Sequence, residues 1–168
     1  LGRGFARVYI TVIRGTPMMV QALIIYYAGF GLFKGSGMTV TEINRVWSFF
    51  ISGLFTVSLN STAYLAEVLR GGIESIDAGQ TEAARSLGMT GWQAMRKVVF
   101  PQAVKNSVPA IGNEFIINIK DSSVLSVIGV MDLMYATSSV SGIYYSTLPI
   151  YCVAAILYLI LTYLSSLI

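Results

Sequence analysis

Long apolar runs alternate with short polar segments along this chain, and the pattern predicts helices that cross a membrane. Each apolar run is roughly as long as the 20 or so residues that a helix needs to cross a bilayer. The shortest run starts directly after Pro17 and is polar only at Gln21, so its helix should include part of the preceding segment. We therefore expect an all-α membrane protein with about four spans: 18–33, 47–69, 107–123 and 149–168.

The segments outside these runs predict shorter helices. Residues 1–16 place Arg3, Arg7 and Arg14 among apolar side chains at helical intervals. Such a segment is typical of an amphipathic helix on the membrane surface, although it is equally compatible with the tail of a preceding span. Residues 126–146 are rich in Ser, Gly and Tyr, and predict a short amphipathic helix and a loop.

The longest well-charged segment, 78–103, has a pattern of its own. A short helix is predicted from Thr81 to Leu87, and Gly88 suits the left-handed turn that ends it. A second helix should begin at Gly91, and Pro101 should end it. A long hydrophilic loop is often only a tether, but a tether has no need of two helices and a defined turn.

Composition excludes several classes of protein. Of 168 residues, 55% are hydrophobic and 11% are charged, whereas about a quarter of the residues in a soluble domain are charged. The chain has one cysteine, Cys152, and no histidine, which excludes a disulfide framework, thiolate or histidine metal sites and histidine catalysis. The net charge is +3, but the basic residues lie beside the apolar runs and are not concentrated on one exposed surface, as nucleic-acid binding requires. Gly71-Gly72 is not followed by the Gly-Lys-Ser/Thr of an ATP-binding loop.

The cations predict which ends of the helices face the cytoplasm. If the first two spans form a hairpin, eight cations fall on one side of the membrane and two on the other. By the positive-inside rule, the eight-cation side and the loop 78–103 are cytoplasmic. The eight are Arg3, Arg7, Arg14, Arg70, Arg85, Arg96, Lys97 and Lys105, against Lys34 and Arg45.

Motif spacing in this loop resembles a known family. Glu82-Ala83-Ala84, then Gly88, Val98 and Phe100-Pro101, resembles the EAA loop of ABC-importer permease subunits: Glu-Ala-Ala, three residues, Gly, nine residues, Ile, one residue, Leu-Pro. Only Val98 and Phe100 depart from it, and both changes are conservative. Further segments are similar to the polar amino acid uptake branch and extend the resemblance over most of the chain: 14–17, 66–73, 101–103 and 120–123.

The resemblance implies a single permease domain over 1–168, with the type I ABC importer (MetI-like) transmembrane fold and a coupling loop at about 78–103. Family members usually have one more span before this start and a basic tail after this end, so both are expected outside the sequence. The implied partners are two ATP-binding-cassette ATPases, a second permease subunit (identical or different) and an extracytoplasmic binding protein. ATP and Mg²⁺ would be bound by the ATPases, which leaves this chain a transport subunit with no cofactor or catalytic residue. The implied location is the bacterial inner membrane, crossed several times. The implied ATPase-coupling residues are Glu82, Ala83, Ala84, Arg85 and Gly88.

Within the third span, Glu114, Asn118 and Asp121 lie within roughly 60° of each other around the helix. A carboxylate inside a span costs about 2.5–3.5 kcal/mol on insertion scales, which favours a functional reason for it. We interpret the three as a substrate site. The alternative is an internal salt bridge between Lys120 and a carboxylate.

Polar side chains in other spans are further candidates. Gln21 and Ser61 are candidates for the α-carboxylate or α-ammonium group of the cargo. The cluster 58–62, to which Ser61 belongs, fits helix–helix hydrogen bonding slightly better than a substrate path.

The cargo is predicted from the charge of this face. Glu114 beside Asn118 suits a cationic side chain, that of arginine, lysine or histidine. Glutamine and cystine are the rival cargoes. A second class of protein is an ion-coupled secondary carrier that uses Glu114 and Asp121 as relay groups, but it has no use for a structured loop. A third class, a membrane enzyme, is disfavoured because the sequence offers no plausible pair of nucleophile and base and no metal-binding cluster.

Overall fold

The computed structural model describes residues 2–167, with Arg3 by its backbone alone, and every element in this range is helical. Leu1, Ile168 and the Arg3 side chain, which enter the predictions above, lie outside the described residues. A π-helical turn, Met95–Val99, precedes α7, and a 3₁₀ turn, Ser122–Ile128, follows it. The α-helices are α1 (Gly2–Gly15), α2 (Met18–Gly35), α3 (Val40–Val46), α4 (Phe49–Glu74), α5 (Ala78–Ser86), α6 (Gly91–Ala94), α7 (Phe100–Asp121), α8 (Leu133–Tyr144) and α9 (Thr147–Ser166).

Three of these helices, α2, α4 and α9, are long and apolar enough to cross a membrane. A fourth span is formed only if the helical stretch from Gly91 to Ile128 is taken together with α8, from which it is bent by 52°. The prediction of an all-α protein with about four spans is confirmed. The predicted helix after Ser126 is also present as α8, and Asp132 caps it by accepting a 2.7 Å hydrogen bond from the Tyr135 N–H.

The helices pack through small side chains. Antiparallel α4 and α7 approach closely where Gly72 faces Ala103 and Ser107, and Gly53, near the start of α4, faces Leu125 of the 3₁₀ turn that follows α7. In a bilayer, burying a large apolar side chain between helices brings no hydrophobic stabilisation, because lipid is equally apolar. Helices associate instead through close packing, which small residues allow. Most large apolar side chains instead lie on the outside, and α9 buries only Ala154.

One sequence prediction is wrong: Pro101 does not end the second helix of the loop. The Phe100 N–H donates to the Met95 carbonyl, five residues back, in the π-helical turn. Pro101 then falls in the first turn of α7, where its missing N–H costs little. The helix that contains the third predicted span, 107–123, therefore starts at Phe100, and helical structure is continuous from Gly91 to Ile128.

Helix α1 lies beside α4. The Tyr9 hydroxyl donates to the Leu59 carbonyl at 2.6 Å, and Arg14 pairs with Glu67 at 3.1 Å. The predicted helix is present, and Thr16-Pro17 turns the chain into α2.

Candidate functional site: a polar elbow and an ionisable helix face

The segment predicted as a coupling loop forms an elbow of two helices, α5 and α6. Helix α5 ends in a Schellman motif: the Met89 N–H donates to the Ala84 carbonyl (3.2 Å) and the Gly88 N–H to the Arg85 carbonyl (2.9 Å). Gly88 has a φ of +83°, the left-handed region that the motif requires. A Cβ at Gly88 would meet nothing within 4 Å, so glycine is needed here for its backbone freedom and not for space.

The second arm of the elbow begins with a capping box. The Gln93 N–H donates to the Thr90 hydroxyl (3.3 Å), and the Thr90 N–H donates to the Gln93 side-chain oxygen (2.8 Å). Backbone groups at the end of α5 and at the start of α6 are thus hydrogen-bonded. The link Gly88–Thr90 between them therefore has a defined conformation and is not a flexible tether.

The Glu-Ala-Ala motif is divided between two faces of α5. Ala84 is buried, as are Ala94 and Val99 of the second arm, whereas Glu82, Ala83, Arg85 and Gly88 are exposed. Two large apolar residues also point outward: Leu87 is 81% exposed and Trp92 is 72% exposed. Sequence reasoning did not select these two, although large apolar residues in a polar loop are a readable signal of a binding surface.

Three of the five predicted substrate residues, Glu114, Asn118 and Asp121, are on α7. Glu114 is buried, Asn118 is half-buried and Asp121 is exposed at the end of the helix. No side chain of the three makes a hydrogen bond or ion pair to another described residue, so their polar groups are available to a ligand. The ion pairs among the described residues involve Arg14, Arg70, Glu67 and Glu74. Lys120 is in none of them, so the internal salt bridge with Asp121 is absent.

Gln21 lies elsewhere, in a buried network between helices. Its side-chain nitrogen reaches the Ile13 carbonyl (2.7 Å) and the Thr16 carbonyl (2.9 Å). Its side-chain oxygen accepts from Asn60 Nδ2 at 3.1 Å. Gln21 therefore ties the α1–α2 turn to α4, and its side-chain hydrogen bonds to described residues do not reach α7. Sequence reasoning had placed Asn60 in the polar cluster without a partner.

Two other residues of that cluster bond within their own helix instead. Ser58 donates to the Leu54 carbonyl (2.8 Å) and Thr62 to the Ser58 carbonyl (2.6 Å), both within α4. Ser61 is half-buried and is joined to no described residue by its side chain. Of these residues, Asn60 makes the hydrogen bond between helices that the packing interpretation predicts, Ser58 and Thr62 are exposed and bonded within their own helix, and Ser61 stays a candidate.

A family model for the inner membrane component of binding-protein-dependent transport systems matches residues 1–168. The chain belongs to this family. It is 36% identical, over 94% of its length, to the nopaline transport system permease protein NocM of Agrobacterium fabrum. It is 41% identical, over 98% of its length, to the putative glutamine transport system permease protein GlnP of Rickettsia bellii. The match covers 65% of NocM and 71% of GlnP, so the chain spans about two thirds of these relatives.

Two further comparisons agree with this membership. Over 76% of its length the chain is 41% identical to the L-cystine transport system permease protein TcyL of Bacillus subtilis, of which the match covers 52%. A crystal structure of an amino acid ABC transporter with histidines has the same fold, with a TM-score of 0.82 and 42% identity over 95% of this chain and 70% of that one. The family resemblance and the fold predicted from it are confirmed.

The chain also has an ionic cluster that sequence reasoning did not select. Glu67 accepts from Arg14 (3.1 Å) and from Arg70 (2.8 Å), and Arg70 also reaches Glu74 (2.7 Å). The Arg14 guanidinium lies over the Tyr64 ring, 5.3 Å from its centre. Three positions of the segments that resemble the family, Arg14, Glu67 and Arg70, thus meet the Tyr64 ring at one place between α1 and α4.

Proposed function

We propose that this chain is the membrane-spanning subunit of an ATP-driven importer for polar amino acids in the bacterial inner membrane. The observation that carries the proposal is the continuous helix that starts at Gly91 in the elbow and reaches Asp121. One end of this helix belongs to an exposed, well-capped elbow outside the spans, and the other end carries Glu114 and Asn118.

The continuous helix gives a physical route for coupling. Two partner ATPases would grip the elbows of two such subunits through the exposed residues Glu82, Ala83, Arg85, Leu87 and Trp92. When ATP binding draws the ATPases together, the displacement of α5 and α6 passes into α7, because no flexible link lies between Gly91 and Asp121. The Glu114 face then changes its accessibility from one side of the membrane to the other. An extracytoplasmic binding protein would deliver the cargo.

The proposed cargo is a basic amino acid. Glu114 is buried and forms no ion pair with a described residue, so a guanidinium or ammonium group of the cargo would pair with it directly. The Asn118 amide, one turn further along α7, can share the same cation, and Asp121 and Ser61 are the remaining candidates for the α-amino and α-carboxylate groups. Glutamine and cystine remain rival cargoes, because the relatives GlnP and TcyL are named for them.

The experiment is a cargo panel on the complete complex. The subunit, its partner ATPase and the matching binding protein are reconstituted in vesicles, and uptake of arginine, lysine, histidine, glutamine and cystine is measured with and without ATP. We expect ATP-dependent uptake that is fastest for a basic amino acid. Uptake driven by a proton or sodium gradient without ATP would contradict the importer mechanism, and fastest uptake of glutamine or cystine would contradict only the cargo.

A further inference from the structure

An open cavity of about 700 Å³ lies between α1 and the end of α4, and three arginines line it: Arg7, Arg14 and Arg70. Among the described residues that line it, Glu67 carries the only carboxylate, and Arg14 and Arg70 share it. Arg7 forms no ion pair with any residue that the structure describes. The cavity therefore has an excess of positive charge that the described chain does not neutralise.

Helix α1 gives this cavity a position relative to the bilayer. Its side chains Phe5, Val8 and Val12 are 77%, 62% and 54% exposed and follow one side of the helix. Arg7, Thr11 and Arg14 follow another side and line the cavity. A helix with these two faces lies at the level of the lipid headgroups, with its apolar side in the acyl region. The positive-inside prediction puts this end of α4 at the cytoplasmic leaflet, whose surface is negatively charged.

We propose that the cavity binds the phosphodiester headgroup of an anionic phospholipid from the cytoplasmic leaflet. Guanidinium groups match phosphate oxygens with pairs of N–H donors, and this geometry favours arginine over lysine. Arg14 is already oriented by Glu67 and by the Tyr64 ring, so it has little freedom left to lose on binding. Arg7, about two turns before Arg14 on the same face of α1, supplies the uncompensated charge. A bound headgroup bridges α1 to α4 and so holds the α1–α2 hairpin against the span that leads to the elbow.

The test counts lipids retained by the purified complex. The complex, in micelles that contain equal amounts of phosphatidylcholine and phosphatidylglycerol, is washed with detergent, and bound lipids are quantified by mass spectrometry. We expect phosphatidylglycerol to be retained preferentially, and Arg7→Gln to weaken its retention about fivefold, the effect of one cation near a membrane surface. Arg7 is exposed, so this substitution leaves the helix packing intact. Lys34→Gln removes the same charge from the far end of α2 and should retain lipid like the wild type.

Two further arms identify the source of the phosphate. Millimolar glycerol 1-phosphate or inorganic phosphate should not displace the lipid, and Arg7→Lys should retain it to an intermediate degree. Equal retention by the wild type and Arg7→Gln would overturn the proposal, as would full displacement by the soluble phosphates. Displacement by amino acids would also overturn it and would assign the cavity to the cargo path. Lipid is counted without ATP or cargo, so the result is independent of the transport proposal.

Discussion

Gly72 of α4 lies directly against Ser107 of α7. A Cβ at Gly72 would overlap the Ser107 hydroxyl and come within 2.8 Å of the Ala103 carbonyl oxygen. The Ser107 hydroxyl itself donates to that carbonyl at 2.8 Å. This contact holds α7 against α4 close to the elbow. The helix that carries Glu114 is therefore packed tightly against its neighbour near the end at which a partner ATPase would displace it.

The first prediction concerns this contact. Gly72→Ala should destabilise the subunit by about 1–3 kcal/mol, because backbone atoms of α7 have to move to admit the methyl group. The measurement is the thermal unfolding of the purified complex. Gly71→Ala is the matched control, since a Cβ at Gly71 meets nothing within 4 Å. Equal stability of the two variants would show that the helices separate without cost.

The second prediction concerns the turn of the elbow. Gly88→Val should cost roughly 1–2 kcal/mol locally, because a β-branched residue is strained at a φ of +83°. We expect the variant to insert normally and to lose cargo-stimulated ATP hydrolysis. Gly88→Asn should retain much of this stimulation, because asparagine tolerates the left-handed region.

The control for the elbow is Gly91→Ala, where a Cβ has open space and φ is not positive. Normal stimulation in Gly88→Val would mean that the defined turn is not needed for coupling. A loss in Gly88→Asn as large as that in Gly88→Val would point to the side chain itself and not to the backbone.

The third prediction concerns cargo charge. Glu114→Gln should reduce the uptake of arginine and lysine more than tenfold relative to that of glutamine, because it removes the buried carboxylate that faces the cation and keeps the shape of the side chain. The measurement is kcat/KM for each cargo. Asp121→Asn, at the exposed end of α7, should affect all cargoes alike. An equal loss for basic and neutral cargoes in Glu114→Gln would contradict the assignment of Glu114 to specificity.

The fourth prediction separates a structural Gln21 from a cargo-binding one. Asn60→Ala leaves the Gln21 side-chain oxygen without its partner in a buried position, which costs about 1–3 kcal/mol. We expect a lower unfolding temperature with an unchanged KM for cargo. If Asn60→Ala raises KM and leaves stability unchanged, the Gln21–Asn60 pair belongs to the cargo path.

The fifth prediction concerns the sidedness of the elbow. After Cys152→Ala, Leu87→Cys should react with a membrane-impermeant maleimide only in inside-out vesicles, since Leu87 is 81% exposed on the predicted cytoplasmic side. Ser36→Cys lies at the C-terminal end of α2, on the predicted extracytoplasmic side of the membrane. It should react only when the reagent is added to the outside of intact cells whose outer layer has been made permeable. Labelling of Leu87→Cys from outside would invert the topology.

Much of the fold could be predicted from the sequence, because a bilayer imposes a simple rule on the chain. In a chain without the pattern of a β-barrel, a segment that crosses it must be an apolar helix. The apolar runs at α2, α4 and α9 could therefore be assigned as helices directly. The turn at Gly88 was also predictable, because only a residue without a Cβ adopts its conformation freely. The helix after Ser126 followed from local pattern in the same way.

The error at Pro101 has a local cause. Proline normally interrupts the i→i−4 hydrogen bonds of a helix, and the sequence does not show that the preceding turn changes to i→i−5 bonding at Phe100 and Met95. The continuity of the elbow with α7, on which the coupling proposal rests, is visible only in the structure.

By itself, the sequence determined the helical class, the segments long enough to cross a membrane and the family, since these depend on local hydrophobicity and on spacing along the chain. The tertiary structure decided which polar residues meet. It joined Gln21 to Asn60, gathered Arg14, Glu67 and Arg70 around one cavity, and left Glu114 buried without a partner among the described residues. These pairings depend on the register between helices distant in sequence, and that register is set by close contacts such as Gly72 against Ser107, which no periodicity in a single helix encodes.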